Sequence, residues 1–136
     1  DDDNVDVLPG AAKIVAGNYV ATMNCEVMKQ LLTYENVSVS IVAKDDVTVD
    51  IKVSSFGEGG RKLDPVDIKD VKVTGEDGNY AFTSKEFSGT TENGKAYSGV
   101  VTGTYVAGKL SLVYSLQYGS MPMPMQNTFE AHKTAE

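Results

Sequence analysis

Stretches of alternating apolar and polar residues, rich in valine, isoleucine, threonine and tyrosine, run through the chain. Turn-prone pairs punctuate them: Asp45-Asp46, Asp77-Gly78, Asn93-Gly94, Ala107-Gly108 and Gly119-Ser120. This is the hairpin signature, repeated. It predicts eight strands, at 17–28, 36–44, 47–56, 66–76, 79–91, 96–106, 109–118 and 121–132. No segment carries a convincing 3.6-residue period, and "VMKQLL" at 27–32 is at most one or two helical turns.

Two-residue turns fix which residues oppose each other. A turn at Ala107-Gly108 sets Tyr105 against Leu110, Gly103 against Leu112, Val101 against Tyr114, Gly99 against Leu116 and Tyr97 against Tyr118. Large residues thus meet small ones on a single face, as close packing requires. A turn at Asp77-Gly78 pairs Val73 with Phe82 and Gly75 with Tyr80. A turn at Gly119-Ser120 pairs Tyr118 with Met121, Leu116 with Met123, Tyr114 with Met125 and Leu110 with Phe129. Strands two and three match their apolar sets only if the loop between them is odd, at Lys44-Asp45-Asp46.

An open meander of eight such strands would leave two long edges and an uncovered apolar face. Closure into an all-β, antiparallel up-and-down barrel removes both problems; a two-sheet sandwich is the alternative. Eight strands leave an interior that side chains nearly fill, or that holds one small ligand. Alternate connections share an end. The loops at 29–35 and 57–65 are the longest, and with those at 91–96 and 119–120 they define a mouth opposite a floor of tight turns. Binding concentrates at such loops. The candidate ligand residues at the mouth are Tyr34, Phe56, Tyr97, Tyr118, Met121 and Met123.

Inward phase is ambiguous at one point. A turn at Asn93-Gly94 sets Glu86 opposite Val101, inside the barrel, and sends Phe87 out. A bulge in the fifth strand would swap them, and that is the favoured reading. Without it, Glu86 is a polar anchor in the lumen with a raised pKa.

Charge and composition remove other classes. The chain has 136 residues, 19 acids and 12 bases, with a net charge of −7. Arg61 is its one arginine and no basic stripe exists, which argues against nucleic acid as a partner. No apolar run approaches the roughly 20 residues of a membrane-spanning helix. Residues 1–12, opening "DDDNVDV", read as a flexible acidic tether, and 13–133 as one domain. Asp64-Pro65 and Asp67 read as turn and solvated positions. Cys25 falls on the inward phase as a small buried thiol. The single histidine, His132, has no nearby inward serine, so no hydrolase triad is expected, nor any cofactor or metal.

The run "MPMPM" at 121–125 tests that last expectation. Alternating thioethers suit Cu(I), but a good site needs convergent donors and a histidine. His132 lies at the other end of that strand, about 33 Å away. Ligand contact and core filling fit the methionines better. The prolines are expected to interrupt the seam between last and first strands, splaying 26–29.

Three segments carry a family resemblance: "AGNYVATM" at 16–23, "DIKDVKVTGEDGNYAFT" at 67–83 and "GTYVAGKLSLVYSL" at 103–116. Their layout, over roughly 14 to 133, resembles the calycin-like β-barrel domain of Bacteroides-type secreted lipoproteins. Gly17-Asn18-Tyr19 resembles the Gly-x-Trp floor motif of the related lipocalins. The chain departs from lipocalins in having no tryptophan, in placing Arg61 in a mouth loop, and in lacking a helix pattern after the last strand. The resemblance implies an exported protein, in the periplasm or at the cell surface, lipid-anchored upstream of Asp1. It implies no catalytic residues. The expected function is a non-catalytic barrel taking a small apolar or amphipathic ligand at the mouth. The alternative is a structural or protein-interaction module with a barrel filled by its own side chains.

Overall fold

The alternation is realised strand by strand in a computed structural model, which describes residues 10–27, 29–57, 63–119 and 124–132. A short helix, α1 (Ala11–Val15), precedes β1 (Gly17–Val27), β2 (Gln30–Ala43), β3 (Thr48–Val53), β4 (Val66–Glu76), β5 (Asn79–Thr90), β6 (Ala96–Val106), β7 (Lys109–Tyr118) and β8 (Met125–His132). Each strand pairs antiparallel with the next, and β8 returns to β1, closing the barrel. The last strand shows the principle plainly: from Met125 to His132, buried and exposed residues alternate at every position. Apolar side chains line the lumen and mainly polar ones face out, with scattered exceptions such as Val20, Val42 and Val113.

Register follows the turn argument where the turns are tight. Tyr105 pairs with Leu110, Gly103 with Leu112, Val101 with Tyr114 and Tyr97 with Tyr118. Val73 pairs with Phe82 and Gly75 with Tyr80. Val39 meets Val53 and Ile41 meets Ile51 across an odd loop. The Lys44 N–H donates to the Thr48 carbonyl at 2.8 Å, so the loop is three residues, Asp45 to Val47, one position along from the expected Lys44 to Asp46.

Four expectations are corrected. First, β8 sits two residues along from the predicted pairing: Leu112, not Leu110, faces Phe129, and Leu116, not Tyr114, faces Met125. Pro124, with no N–H to give, stands outside the strand, so the connection after Tyr118 is longer than a two-residue turn. An even shift leaves every side chain on its expected face, which is why the pattern alone could not reveal it. Second, 29–35 is no long loop. β1 and β2 continue as a hairpin to Val27↔Gln30, with a register shift beyond Ala21 where Asn36 takes a positive φ of 59°. Third, α1 is a helix that no periodicity announced, because five residues are too few to show one.

Fourth, the lumen-anchor reading of Glu86 falls. β5 shifts register against β6 between Phe82 and Lys85, so Phe87 pairs with Gly99 and is buried while Glu86 is exposed. The bulge is the expected physical cause: one extra residue exchanges the two faces.

Floor and seam complete the frame. α1 covers the floor with Ala12 and Val15 buried, and the Tyr19 hydroxyl donates to the Val15 carbonyl at 2.5 Å. Tyr19 meets Tyr105 edge-on at 6.4 Å. The closing β1–β8 ladder runs from Met23↔Phe129 to Glu26↔Gln126 and stops there. Glu26 is therefore paired rather than splayed, and the seam ends just short of the proline stretch. Met121 and Met123, with Pro122, lie outside the described residues.

Inside, close approach leaves no slack. A Cβ on Gly99 would lie 1.9 Å from the Ser115 carbonyl oxygen and 2.8 Å from the Phe87 ring. The backbone cannot yield as a flexible side chain can. Gly99→Ala is expected to cost about 1–3 kcal/mol, read as a lower urea midpoint; a change within about 0.5 kcal/mol would show that the wall has room to move.

Candidate functional site

The mouth is built by two groups of aromatic residues and a strap that joins them. On one side, Tyr34 of β2 and Phe56, just after β3, lie with ring centroids 5.2 Å apart. Phe56 bridges to Leu63, whose N–H donates to the Phe56 carbonyl at 2.8 Å. Asp64 follows. Its N–H donates to the Tyr118 hydroxyl at 3.1 Å. The strap 63–67 thus runs from Phe56 toward the second group, Tyr97 and Tyr118, which are cross-strand partners on β6 and β7.

Tyr97 makes the more consequential contact. The β4–β5 ladder covers only Val73↔Phe82 to Glu76↔Asn79, so the wall is split along the rest of both strands. The Tyr97 side chain lies over Gly89, where a Cβ would sit 2.6 Å from Oη. Its hydroxyl donates to the Asp67 carbonyl at 3.1 Å and accepts from the Asp67 N–H at 3.2 Å. One phenol thereby supplies both hydrogen bonds that a strand residue would have offered.

Asp64 is no solvated turn residue. Thr91 Oγ1 donates to its carboxylate at 2.8 Å and Asn93 Nδ2 at 2.9 Å. Those bonds, Thr91 foremost, hold its carboxyl below the usual carboxylate range. Sequence reading missed this clasp because Asp64 and Thr91 are far apart in the chain and each is ordinary in its own loop.

Below the mouth the lumen is full. Tyr19, Met23, Phe82, Leu112, Tyr114 and Phe129 are essentially unexposed. Across the middle run Cys25, Asn127 and Tyr114, successive partners on β1, β8 and β7. Burial pushes the Cys25 thiol up to about 12, so it is neither thiolate nor nucleophile at neutral pH. Burial also drives the Tyr114 phenol above its ordinary range, with Asn127 pulling weakly the other way. The Tyr114 hydroxyl and both Asn127 amide atoms are buried without a partner in hydrogen-bond geometry. Asn127 was signalled by its place on the inward phase between Met125 and Phe129, a polar residue in an apolar series.

Of the mouth residues expected from sequence, Tyr34 and Phe56 meet each other, and Tyr97 and Tyr118 meet beneath the strap. Tyr34 and Phe56 border an open groove of about 440 Å³ with Thr33, Glu35, Asn36, Ser55 and Gly57. The hydroxyls of Tyr97 and Tyr118 are instead committed to the strap backbone.

The calycin-like β-barrel domain profile matches residues 15–132. The chain belongs to the calycin-like β-barrel family. Among solved structures, a Bacteroides fragilis protein named provisionally as an outer membrane protein superposes with a TM-score of 0.81 at 20% identity, over 93% of this chain and 54% of that one. The chain spans about half the length of that protein, and at this identity the likeness concerns the fold. No curated protein matches.

Two outcomes follow for the mouth. Tyr97→Phe leaves the Asp67 N–H and carbonyl without their bridging partner, and is expected to cost about 1–3 kcal/mol with loss of amide-exchange protection at Asp67; unchanged protection there would refute the bridge. Asp64, its pKa depressed in the fold, contributes stability that is present above the unfolded carboxylate pKa and lost as pH falls through the folded one. In an NMR titration its carboxyl should move at lower pH than an ordinary aspartate, carrying the Thr91 and Lys95 amides with it, and Thr91→Val should shift the midpoint upward. Titration at the ordinary value would dissolve the clasp.

Proposed function

We propose that this calycin-like barrel is a non-catalytic, extracytoplasmic module that takes a small apolar or amphipathic molecule at the rim of its mouth, in the Tyr34–Phe56 groove. The observation that carries this reading is the contrast between a lumen packed with large side chains and an open groove bordered by an aromatic pair. An apolar face can lie on the half-buried Tyr34 ring, with Phe56 buried behind it, while Thr33, Asn36 and Ser55 offer hydrogen bonds to its polar edge. The buried thiol, held protonated, and the absence of a histidine in the interior support a non-catalytic role.

Location is supported by the Bacteroides neighbour's provisional name. The wall is mainly oriented for water: most of its apolar residues point inward, and its outward positions carry residues such as Asn18, Ser40, Lys52, Lys72 and Glu86 among scattered valines such as Val20, Val42 and Val113. A bilayer-spanning barrel has the opposite arrangement. The filled lumen equally favours a second reading, a structural or protein-interaction module with no small ligand.

Thermal-shift measurements against fatty acids, bile acids, haem and Cu(I) separate the two. A ligand at a hundred times its Kd stabilises by about 2.7 kcal/mol, a rise of several degrees in Tm. The rim reading expects such a rise for an apolar or amphipathic member, abolished in Tyr34→Ala. Silence across the panel assigns the module to the second reading.

A further inference from the structure

The split between β4 and β5 has a second consequence, on the outer wall toward the floor. Both strands bulge where their ladder ends. Asp70 of β4 takes a positive φ of 62°, with a register shift against β3, and β5 shifts register between Phe82 and Lys85. A cleft of about 380 Å³ opens there, lined by Lys44, Asp45, Thr48, Asp70, Lys72, Thr83, Ser84 and Lys85. Its charges are unequally committed. Lys44 is tied to Asp70, and the Asp45 carboxylate accepts the Val47 N–H at 2.9 Å. Lys72 and Lys85 have no ion pair or hydrogen bond among the described residues, though each is near enough for Asp45 or Asp70 to feel its charge. Two ammonium groups without an ion pair therefore face a cleft that also offers the Thr83 and Ser84 hydroxyls, the Thr48 hydroxyl being bonded to Asp45, in a protein whose net charge is −7.

We propose that this cleft is an oxyanion site, taking a phosphate or sulfate group between Lys72 and Lys85 with Thr83 and Ser84 as hydrogen-bond donors. A tetrahedral group fits better than a carboxylate because two ammonium groups and two hydroxyls border the cleft from β4 and β5, more donors than two oxygens can use. The cleft has the volume of a small-molecule site rather than the area of a protein interface. It lies away from the Tyr34–Phe56 groove and shares no residue with it, so it stands whether or not the rim binds a ligand.

The test is an amide-shift titration of the ¹⁵N-labelled chain with sodium sulfate, sodium phosphate, glucose 6-phosphate and sodium acetate, each at ionic strength matched with sodium chloride. Saturable shifts at Lys72, Thr83, Ser84 and Lys85 are expected with the first three. Affinity should fall about tenfold in the Lys72→Gln/Lys85→Gln variant, whose Leu110 and Leu112 amides should stay in place as a check on the fold. Tighter binding of glucose 6-phosphate identifies an ester as the ligand, and equal binding identifies the free anion; either upholds the site. Shifts that follow sodium chloride, acetate binding as tightly as sulfate, or undiminished affinity in the double variant would overturn it.

Discussion

Eight strands fix the bore of this barrel, and the inward side chains have to fill it. That constraint governs the rest of the molecule. Tyr19, Tyr114, Phe82 and Phe129 project into one narrow space, and each needs something small nearby. Gly99 lets the Phe87 ring approach the β6 backbone, and Gly89 lets Tyr97 lie flat across β5. Removing large side chains from such a core leaves cavities, and enlarging small ones forces strain. A centre packed this way has little left to offer a guest. The polar atoms trapped in it, on Tyr114 and Asn127, are a cost of that packing, about 1–3 kcal/mol for each unpaired group.

The wall is less uniform than the core. Short ladders mark two places, the β1–β8 closure and the β4–β5 split, and they are resolved differently. The closure ends where the prolines begin. The split is spanned from within by the Tyr97 phenol and tied at its mouth end by Asp64 with Thr91 and Asn93. A side chain thus stands in for missing backbone partners, which keeps the meander a barrel despite an interrupted ladder.

Much of this was legible in the chain because a period of two leaves few choices. Tight turns with Gly at a positive-φ position, as at Gly78 and Gly108, fixed both register and face for β4–β5 and β6–β7. What escaped was whatever preserves the alternation. The two-residue slide of β8 moved no side chain to a new face, so no apolar pattern could register it. The β5 bulge did break the pattern, at Glu86 and Phe87, and the pattern accordingly signalled it. The candidate site was legible by residue type but not by commitment. Aromatic residues at the mouth were evident from Tyr34, Phe56, Tyr97 and Tyr118. That two of them spend their hydroxyls on the strap depends on loop contacts between residues 30 and 54 positions apart, which no local signal encodes.

The rim groove and the lysine cleft each sit beside a break in the ladder, and the packing explains why. Asn36, with φ of 59°, borders the rim groove, and Asp70, with φ of 62°, borders the lysine cleft. A regular ladder spends every N–H and carbonyl on its neighbours and turns its side chains strictly in or out. A bulge releases one residue from that rule, bends the strand and aims side chains sideways into space that the pleat would have closed. In a barrel with an empty centre, the lumen competes with such sites for any ligand. Here the centre is occupied by the protein itself, so chemistry that varies from one such barrel to another can be placed in the wall without disturbing the core. The fold supplies the frame, and the irregular residues supply whatever specificity it has.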